Sequence, residues 1–195
     1  YYSRARNLKK TAQIILKDYS GKVPDSMNEI LKLPGIGRYT AGAILSIAYG
    51  QKVPVLDGNV KRVLSRIFLL KENGSNRQSE NILWVTIHSL LPETGSGDFN
   101  QAFMELGATV CLPKNPLCLL CPLKQNCKAQ KTGEQDLYPP RKQKTPPIKI
   151  EVSAAVILRR KKIYIQKRKV GGLMGGLWEF PGGKFEPGES AEQCL

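Results

Sequence analysis

Apolar residues recur at helical spacing through the first two thirds of the chain and take on strand-like density only near its end. Ala5, Leu8, Ala12, Ile15 and Tyr19 mark one face of a helix that stops at Gly21. Ser26-x-x-Glu29, ahead of Ile30 and Leu31, has the form of a capping box. A tight turn follows at Leu33-Pro34-Gly35-Ile36-Gly37, and Ala41, Ile44, Leu45 and Ala48 then line a second helical face that ends near Gly50. Further helices are predicted at 59–70, 80–91 and 99–111, with Ser79 and Asp98 as N-caps and Gln101 three residues past the latter. Trp84 and Phe103 fit helix packing, and the only histidine, His88, lies opposite the apolar face of Ile82, Leu83, Ile87, Leu90 and Leu91. It is read as an exposed helical residue and not as a catalytic base.

Around Tyr138 the texture changes. Tyr138-Pro139-Pro140 and Thr145-Pro146-Pro147 bracket a basic stretch, the composition of an exposed interdomain linker. Beyond it, β-branched runs at 152–158 and 163–166 are joined by Arg159-Arg160-Lys161-Lys162 and read as a hairpin. The expected organisation is a helical domain over 1–137, a linker over 138–147 and the start of a second, α+β domain over 148–195.

A length of 195 residues allows one large or two small domains, and 41% apolar residues exclude a disordered polyelectrolyte. The longest apolar run is 154–158, far short of the roughly 20 residues of a spanning helix. With no signal-like start, the expectation is a soluble, intracellular chain without membrane association. It begins without Met at Tyr1-Tyr2-Ser3 and stops at Leu195 soon after a glycine-rich turn, so both ends read as cut from something longer.

The net charge of +14 implies an anionic partner, most often nucleic acid. Residues 1–140 hold 18 basic and 11 acidic side chains, whereas residues 141–169 hold 11 and 1, so the excess forms a band. A basic run alone is as often a solvated linker and hairpin as a binding surface. Cys111, Cys118, Cys121 and Cys127 fall within 17 residues while Cys194 stands alone, a clustering that reads as a metal site and not as a disulfide framework. The spacing C-x6-C-x2-C-x5-C suits either a tetrahedral zinc or a 4Fe-4S cluster.

Gly35 and Gly37 sit in a turn that opens a helix, where backbone N–H groups and the positive end of the helix dipole can meet a phosphate. Flanked by two amphipathic helices, Leu33-Pro34-Gly35-Ile36-Gly37-Arg38-Tyr39-Thr40-Ala41-Gly42 resembles the helix-hairpin-helix motif of DNA repair proteins. Eighteen residues past Tyr39 stands Asp57 in Val55-Leu56-Asp57-Gly58-Asn59-Val60-Lys61-Arg62. Alone it would be a helix cap. Beside a phosphate-gripping turn it can stabilise positive charge on the sugar of a flipped-out nucleotide.

Hairpin, Asp57 and cysteine loop occur in the order of the helix-hairpin-helix, endonuclease III superfamily of DNA glycosylases. With Tyr1-Tyr2-Ser3-Arg4-Ala5-Arg6-Asn7-Leu8, the chain resembles the adenine DNA glycosylase (MutY) family from Tyr1 to about Lys131 and again in its second domain. The resemblance implies a mainly α fold and a 4Fe-4S cluster on Cys111, Cys118, Cys121 and Cys127. It implies a monomer in the bacterial cytoplasm acting on double-stranded DNA, removing adenine mispaired with 8-oxoguanine. Asp57 would act on the sugar with Tyr39 and Asn59 orienting groups around it; Tyr1 would wedge into the duplex, and Gly35, Ile36, Gly37 and Arg38 would bind the DNA backbone. The family's general-acid Glu lies on an earlier helix without counterpart here, so a DNA-binding piece without excision is one alternative. An endonuclease III-like lyase is another, but that chemistry needs a Lys where Tyr39 stands, and a phenol forms no imine.

In the second domain, Gly171-Gly172-Leu173-Met174-Gly175-Gly176-Leu177-Trp178-Glu179-Phe180-Pro181-Gly182-Gly183 followed by Glu189 resembles the opening of a Nudix domain. The family's Nudix-like module recognises 8-oxoguanine, and the later metal-binding part of a hydrolase box is not in this sequence. Cys194 reads as an ordinary thiol.

Overall fold

The computed structural model describes residues 2–71, 77–140 and 146–195. The wedge role expected of Tyr1, and part of the expected linker, therefore fall outside the described residues. The chain divides into two compact units, 1–143 and 144–195.

The described part of the first unit is helical: α1 (Tyr2–Asp18), α2 (Met27–Ile30), α3 (Arg38–Ile47), α4 (Gly58–Phe68), α5 (Arg77–Leu90), α6 (Ser96–Glu105) and α7 (Lys128–Thr132). A π-helical turn at Leu106–Val110 extends α6, and a 3-10 turn covers Cys118–Leu120. The predicted 99–111 helix is thus two pieces, and its start is earlier than Asp98. Gly95, in the left-handed region at φ +77°, takes the N-cap position, and Asp98 sits in the first turn, where its charge complements the helix dipole. Ser79 likewise lies inside α5 and does not cap it. Ser26 does cap α2, accepting from Glu29 N at 3.3 Å. Glu29 leaves the capping box half made, because its carboxylate instead accepts from Tyr19 OH at 2.8 Å and from Lys32 Nζ at 2.6 Å.

Helix α1 is rotated from the face its apolar pattern predicts. Ala5, Leu8 and Ala12 are exposed, and Thr11 is the buried residue of the helix. The reason is polar: Thr11 Oγ1 donates to Pro34 O at 2.7 Å, and Asn7 packs on Gly35, turning the helix toward the 33–37 turn. Ile14, Ile15 and Tyr19 then close on a core of Ile30, Leu33, Ala41 and Leu45. A second core lies between α4 and α5, with Leu56, Val60, Leu64, Leu83, Trp84 and Ile87 buried and Phe99 and Phe103 against it. Ile82 is exposed in spite of its place on the predicted apolar face, whereas His88 is exposed as the pattern required.

The second unit is built of short antiparallel ladders. β1 (Val152–Ala154) pairs with β6 (Gly182–Lys184), β2 (Leu158–Arg159) with β3 (Lys162–Ile163), and β4 (Gln166–Lys167) with β5 (Trp178–Glu179). The run 152–158 is therefore interrupted between β1 and β2, and 163–166 is divided between β3 and β4. No described residue of this unit is buried. No helix among the described residues is long and apolar enough to cross a membrane.

Candidate active site

The extended run 53–56 delivers Asp57 to the start of α4. Its course is set by Asn100, 1% exposed, which donates Nδ2 to Val53 O and Ser46 Oγ, both at 2.9 Å, and accepts from Val55 N at 3.2 Å. Gly42 allows the run to pass close to α3, since a Cβ there would collide with Pro54 O.

Asp57 is both a helix cap and the anchor of a polar chain. Its Oδ1 accepts from Val60 N at 2.7 Å, and its Oδ2 accepts from Asn59 Nδ2 at 3.2 Å. Asn59 Oδ1 in turn accepts from Arg62 Nη2 at 2.9 Å. Arg62 also donates Nη2 to Gly107 O at 2.6 Å and Nε to Cys111 O at 2.7 Å. Burial pulls the Arg62 guanidinium below its ordinary pKa, and the charge of Cys111 opposes that shift. The carboxylate is thus positioned, through two side chains, by the backbone at the start of the cysteine loop. Gly107 is part of the fit: a Cβ there would stand 2.6 Å from Asn59 Cβ.

Tyr39 lies on the first turn of α3, exposed, with its hydroxyl 3.7 Å from Met104 Sδ. The structure gives it no hydrogen bond to Asp57 or Asn59. Gly35 takes φ +81°, a conformation open to glycine, and Gly37 stands at the N-cap of α3, which has no side-chain cap. Its first-turn N–H groups are therefore offered outward. Arg38 is exposed with its guanidinium 4.0 Å from the centroid of the Trp84 ring, a cation–π contact that fixes its direction.

The four clustered cysteines line one small cavity of about 30 Å³ together with Arg66. Arg66, only 3% exposed, donates Nη1 to Cys111 Sγ at 3.3 Å and to Leu112 O at 2.6 Å, and Nε to Gln135 O at 2.8 Å and Tyr138 O at 3.0 Å. Its own carbonyl accepts from Cys127 Sγ at 3.5 Å. One buried cation therefore ties α4 to both ends of the loop. Burial raises the Cys118 and Cys121 thiols, and the neighbouring cysteines add to the shift. Among the described residues no three His, Cys, Asp or Glu side chains are grouped as a single metal ion would require. Four cysteines lining one cavity are the donor set that either a tetrahedral zinc or a 4Fe-4S cluster takes.

Known proteins resemble this chain in sequence and in fold. Residues 18–47 match a helix-hairpin-helix motif model, and residues 153–195 match a NUDIX domain model. The adenine DNA glycosylase of Buchnera aphidicola (strain APS) is 41% identical over 192 residues, covering 98% of this chain and 54% of that protein. The human adenine DNA glycosylase is 36% identical, covering 99% of this chain and 44% of its own length. Along nearly its whole length the chain is homologous to part of these adenine DNA glycosylases. It spans about half the length of the curated relatives it matches. Solved structures agree on the helical fold: a thermostable thymine-DNA glycosylase (TM-score 0.59, 33% identical) covers 66% of this chain and 59% of its own. A trapped endonuclease III–DNA covalent intermediate (TM-score 0.56, 28% identical) covers 67% and 60%.

Within this family frame, sequence reading named Asp57, Asn59 and the cysteines but missed Arg66, Asn100 and Gly107, and quoted Arg62 without a role. A signal existed for Arg66, an arginine inside the apolar stretch Val63-Leu64-Ser65-Arg66-Ile67-Phe68. Asn100 and Gly107 had none, because what they touch lies more than 40 residues away in sequence.

Proposed function

We propose that this chain carries the sugar-facing part of an adenine DNA glycosylase site, acting on adenine opposite 8-oxoguanine in double-stranded DNA. The observation that carries the reading is the carboxylate of Asp57, held at a helix start by Val60 N and Asn59 Nδ2. As the bond between the sugar and the base breaks, its electron pair leaves with adenine and positive charge develops on the sugar. A carboxylate whose direction is already fixed stabilises that charge without reorganising. Asn59 and Arg62 hold the carboxylate in place. Water then adds to the sugar carbon, and the proton it gives up returns to the family's helix-borne Glu, replacing the one that this acid hands to the departing base. Gly35, Ile36, Gly37 and Arg38 bind the backbone through N–H groups and charge. Tyr39 in place of a lysine argues against an imine and a lyase step.

Cys111, Cys118, Cys121 and Cys127 would hold the 4Fe-4S cluster, which when bound supplies four iron–thiolate ties that fasten the loop behind Arg62 and Arg66. Anaerobically purified protein should be brown with about four irons per chain. A colourless protein with one zinc would refute the cluster. For the reaction, Asp57→Asn keeps size and much of the capping but removes the charge. In the chain extended by the family's preceding helices, single-turnover excision of adenine should slow by at least about a hundredfold with folding intact. An unchanged rate in the folded fraction would leave Asp57 a helix cap alone.

A further inference from the structure

The β2–β3 ribbon of the second unit concentrates charge in a way its folding does not favour. Leu158 pairs with Ile163 and Arg159 with Lys162, and Tyr164 N donates to Ile157 O at 3.0 Å as a further rung. Side chains alternate across a ribbon, so Arg159 and Lys162 share a face with Ile157 and Tyr164. An open hollow of about 540 Å³ lies there, lined by Ile157, Arg159, Arg160, Lys162, Ile163 and Tyr164.

Three features oppose this hairpin on its own. Arg159 stands directly across from Lys162, and like charges in opposed positions destabilise a ladder. The two turn residues, Arg160 and Lys161, take φ +48° and +61°. Two-residue hairpin turns fill that left-handed region with Asn-Gly, and a side chain with a Cβ is disfavoured in it. Among the described residues, none of the four cations has a carboxylate within ion-pair distance, whereas Arg168 in the same unit pairs with Glu179 at 3.1 Å. The mutual repulsion of four cations at one exposed tip is relieved by anions that meet them.

We propose that the hairpin is a grip for the phosphates of a nucleic-acid backbone, separate from the Asp57 site. Arg159 and Lys162 contact phosphates from the ribbon face and Arg160 and Lys161 from the tip, with Tyr164 and Ile157 offering an apolar surface to the sugars. This rests on the reading that the chain works on DNA, and it adds a contact within the second unit.

The test is equilibrium binding of the whole chain to duplex DNA across a salt series. Each phosphate neutralised contributes about 0.9 to the slope of log affinity against log salt, so four contacts contribute about 3.6. Replacing Arg159, Arg160, Lys161 and Lys162 with Gln should make the slope shallower by about 2 to 3. Replacing Lys149, Lys167 and Lys169 with Gln, outside the hairpin, should change it by less than about 1. Arg160→Asn with Lys161→Gly, which puts the favoured residues in the turn, should raise the melting temperature of the second unit while weakening DNA binding several-fold. An unchanged slope in the first variant, equal losses in the first two, or a stabilised Asn-Gly variant with unaltered DNA affinity would each overturn the proposal. So would loss of binding to phosphatidylserine vesicles without loss of DNA binding. A wild-type chain that binds no duplex at all would instead remove the DNA reading on which the hairpin inference stands.

Discussion

The helical unit and the second unit hold themselves together in different ways. In the first, two apolar cores enclose Ile30, Leu45, Leu64, Leu83 and Ile87 at 0% exposure, and buried Arg66 and Asn100 tie distant segments together between them. In the second, the described strands are two or three residues long and no described side chain is buried. A dry, close-packed surround strengthens hydrogen bonds and makes unmet polar groups expensive. That is the environment in which a carboxylate such as Asp57 can be held in one direction. The second unit has no such surround, and its chemistry is that of exposed charge: Arg159 to Lys162 act through number and placement, screened by salt. One unit is suited to reaction geometry, the other to attraction.

The largest effect that sharpens this contrast is expected at Arg66. Arg66→Met removes the cation while leaving Cys111 Sγ and the carbonyls of Leu112, Pro113, Gln135 and Tyr138 without their donor. Loss of about 3–5 kcal/mol is expected in denaturant unfolding followed by helical circular dichroism, and the proposed cluster should lose iron. Stability within about 0.5 kcal/mol of wild type would show that the cysteine loop holds without it.

A matched pair of deletions compares the units directly. Leu64→Ala, at a fully buried position, should cost about 2–5 kcal/mol. Leu158→Ala, at a position 68% exposed, should stay within about 0.5 kcal/mol. Equal costs would break the comparison, because they would mean that the ribbon is buried against something in solution.

Gly107→Ala should cost about 1–3 kcal/mol by overpacking, and its effect on excision should exceed its effect on stability, since the new Cβ presses on Asn59 and through it on Asp57. Excision that falls only in step with the folded fraction would mean that Asn59 does not position the carboxylate.

The smallest effect is one of pH. Lys32, then Tyr19, hold the Glu29 carboxyl below its ordinary pKa, while Glu29 holds the Lys32 ammonium and the Tyr19 phenol above theirs. A depressed carboxyl contributes stability above its unfolded pKa and loses it as pH falls through the folded value. A raised ammonium or phenol contributes below its unfolded pKa and loses it as pH rises through the folded value. The cluster therefore supports α2 across the neutral range and weakens at both extremes. Glu29→Gln should flatten the acid side of the melting temperature profile slightly, these groups being exposed and screened. An identical profile in wild type and variant would assign the cluster no net role.

The sequence by itself determined what depends on neighbours along the chain. The Gly35 turn, the cap at Ser26, Asp57 at the head of α4, the cysteine spacing and the β2–β3 hairpin are all set by residues a few positions apart, whose preferences are local. Helix boundaries that pattern alone placed at Ser79 and Asp98 moved, because Arg77 begins α5 and Gly95 supplies the left-handed start of α6. Tertiary structure decided which face α1 turns inward, since Thr11 and Asn7 meet the 33–37 turn more than 20 residues away. It also decided that Arg62, which steadies Asp57 through Asn59, is itself fixed by the carbonyls of Gly107 and Cys111, and that Arg66 closes the cysteine loop. Such contacts join residues about 45 positions apart and exist only after the cores have formed. Hydrophobic period carries no record of them: a buried arginine or asparagine interrupts the pattern without saying which distant carbonyl it will meet.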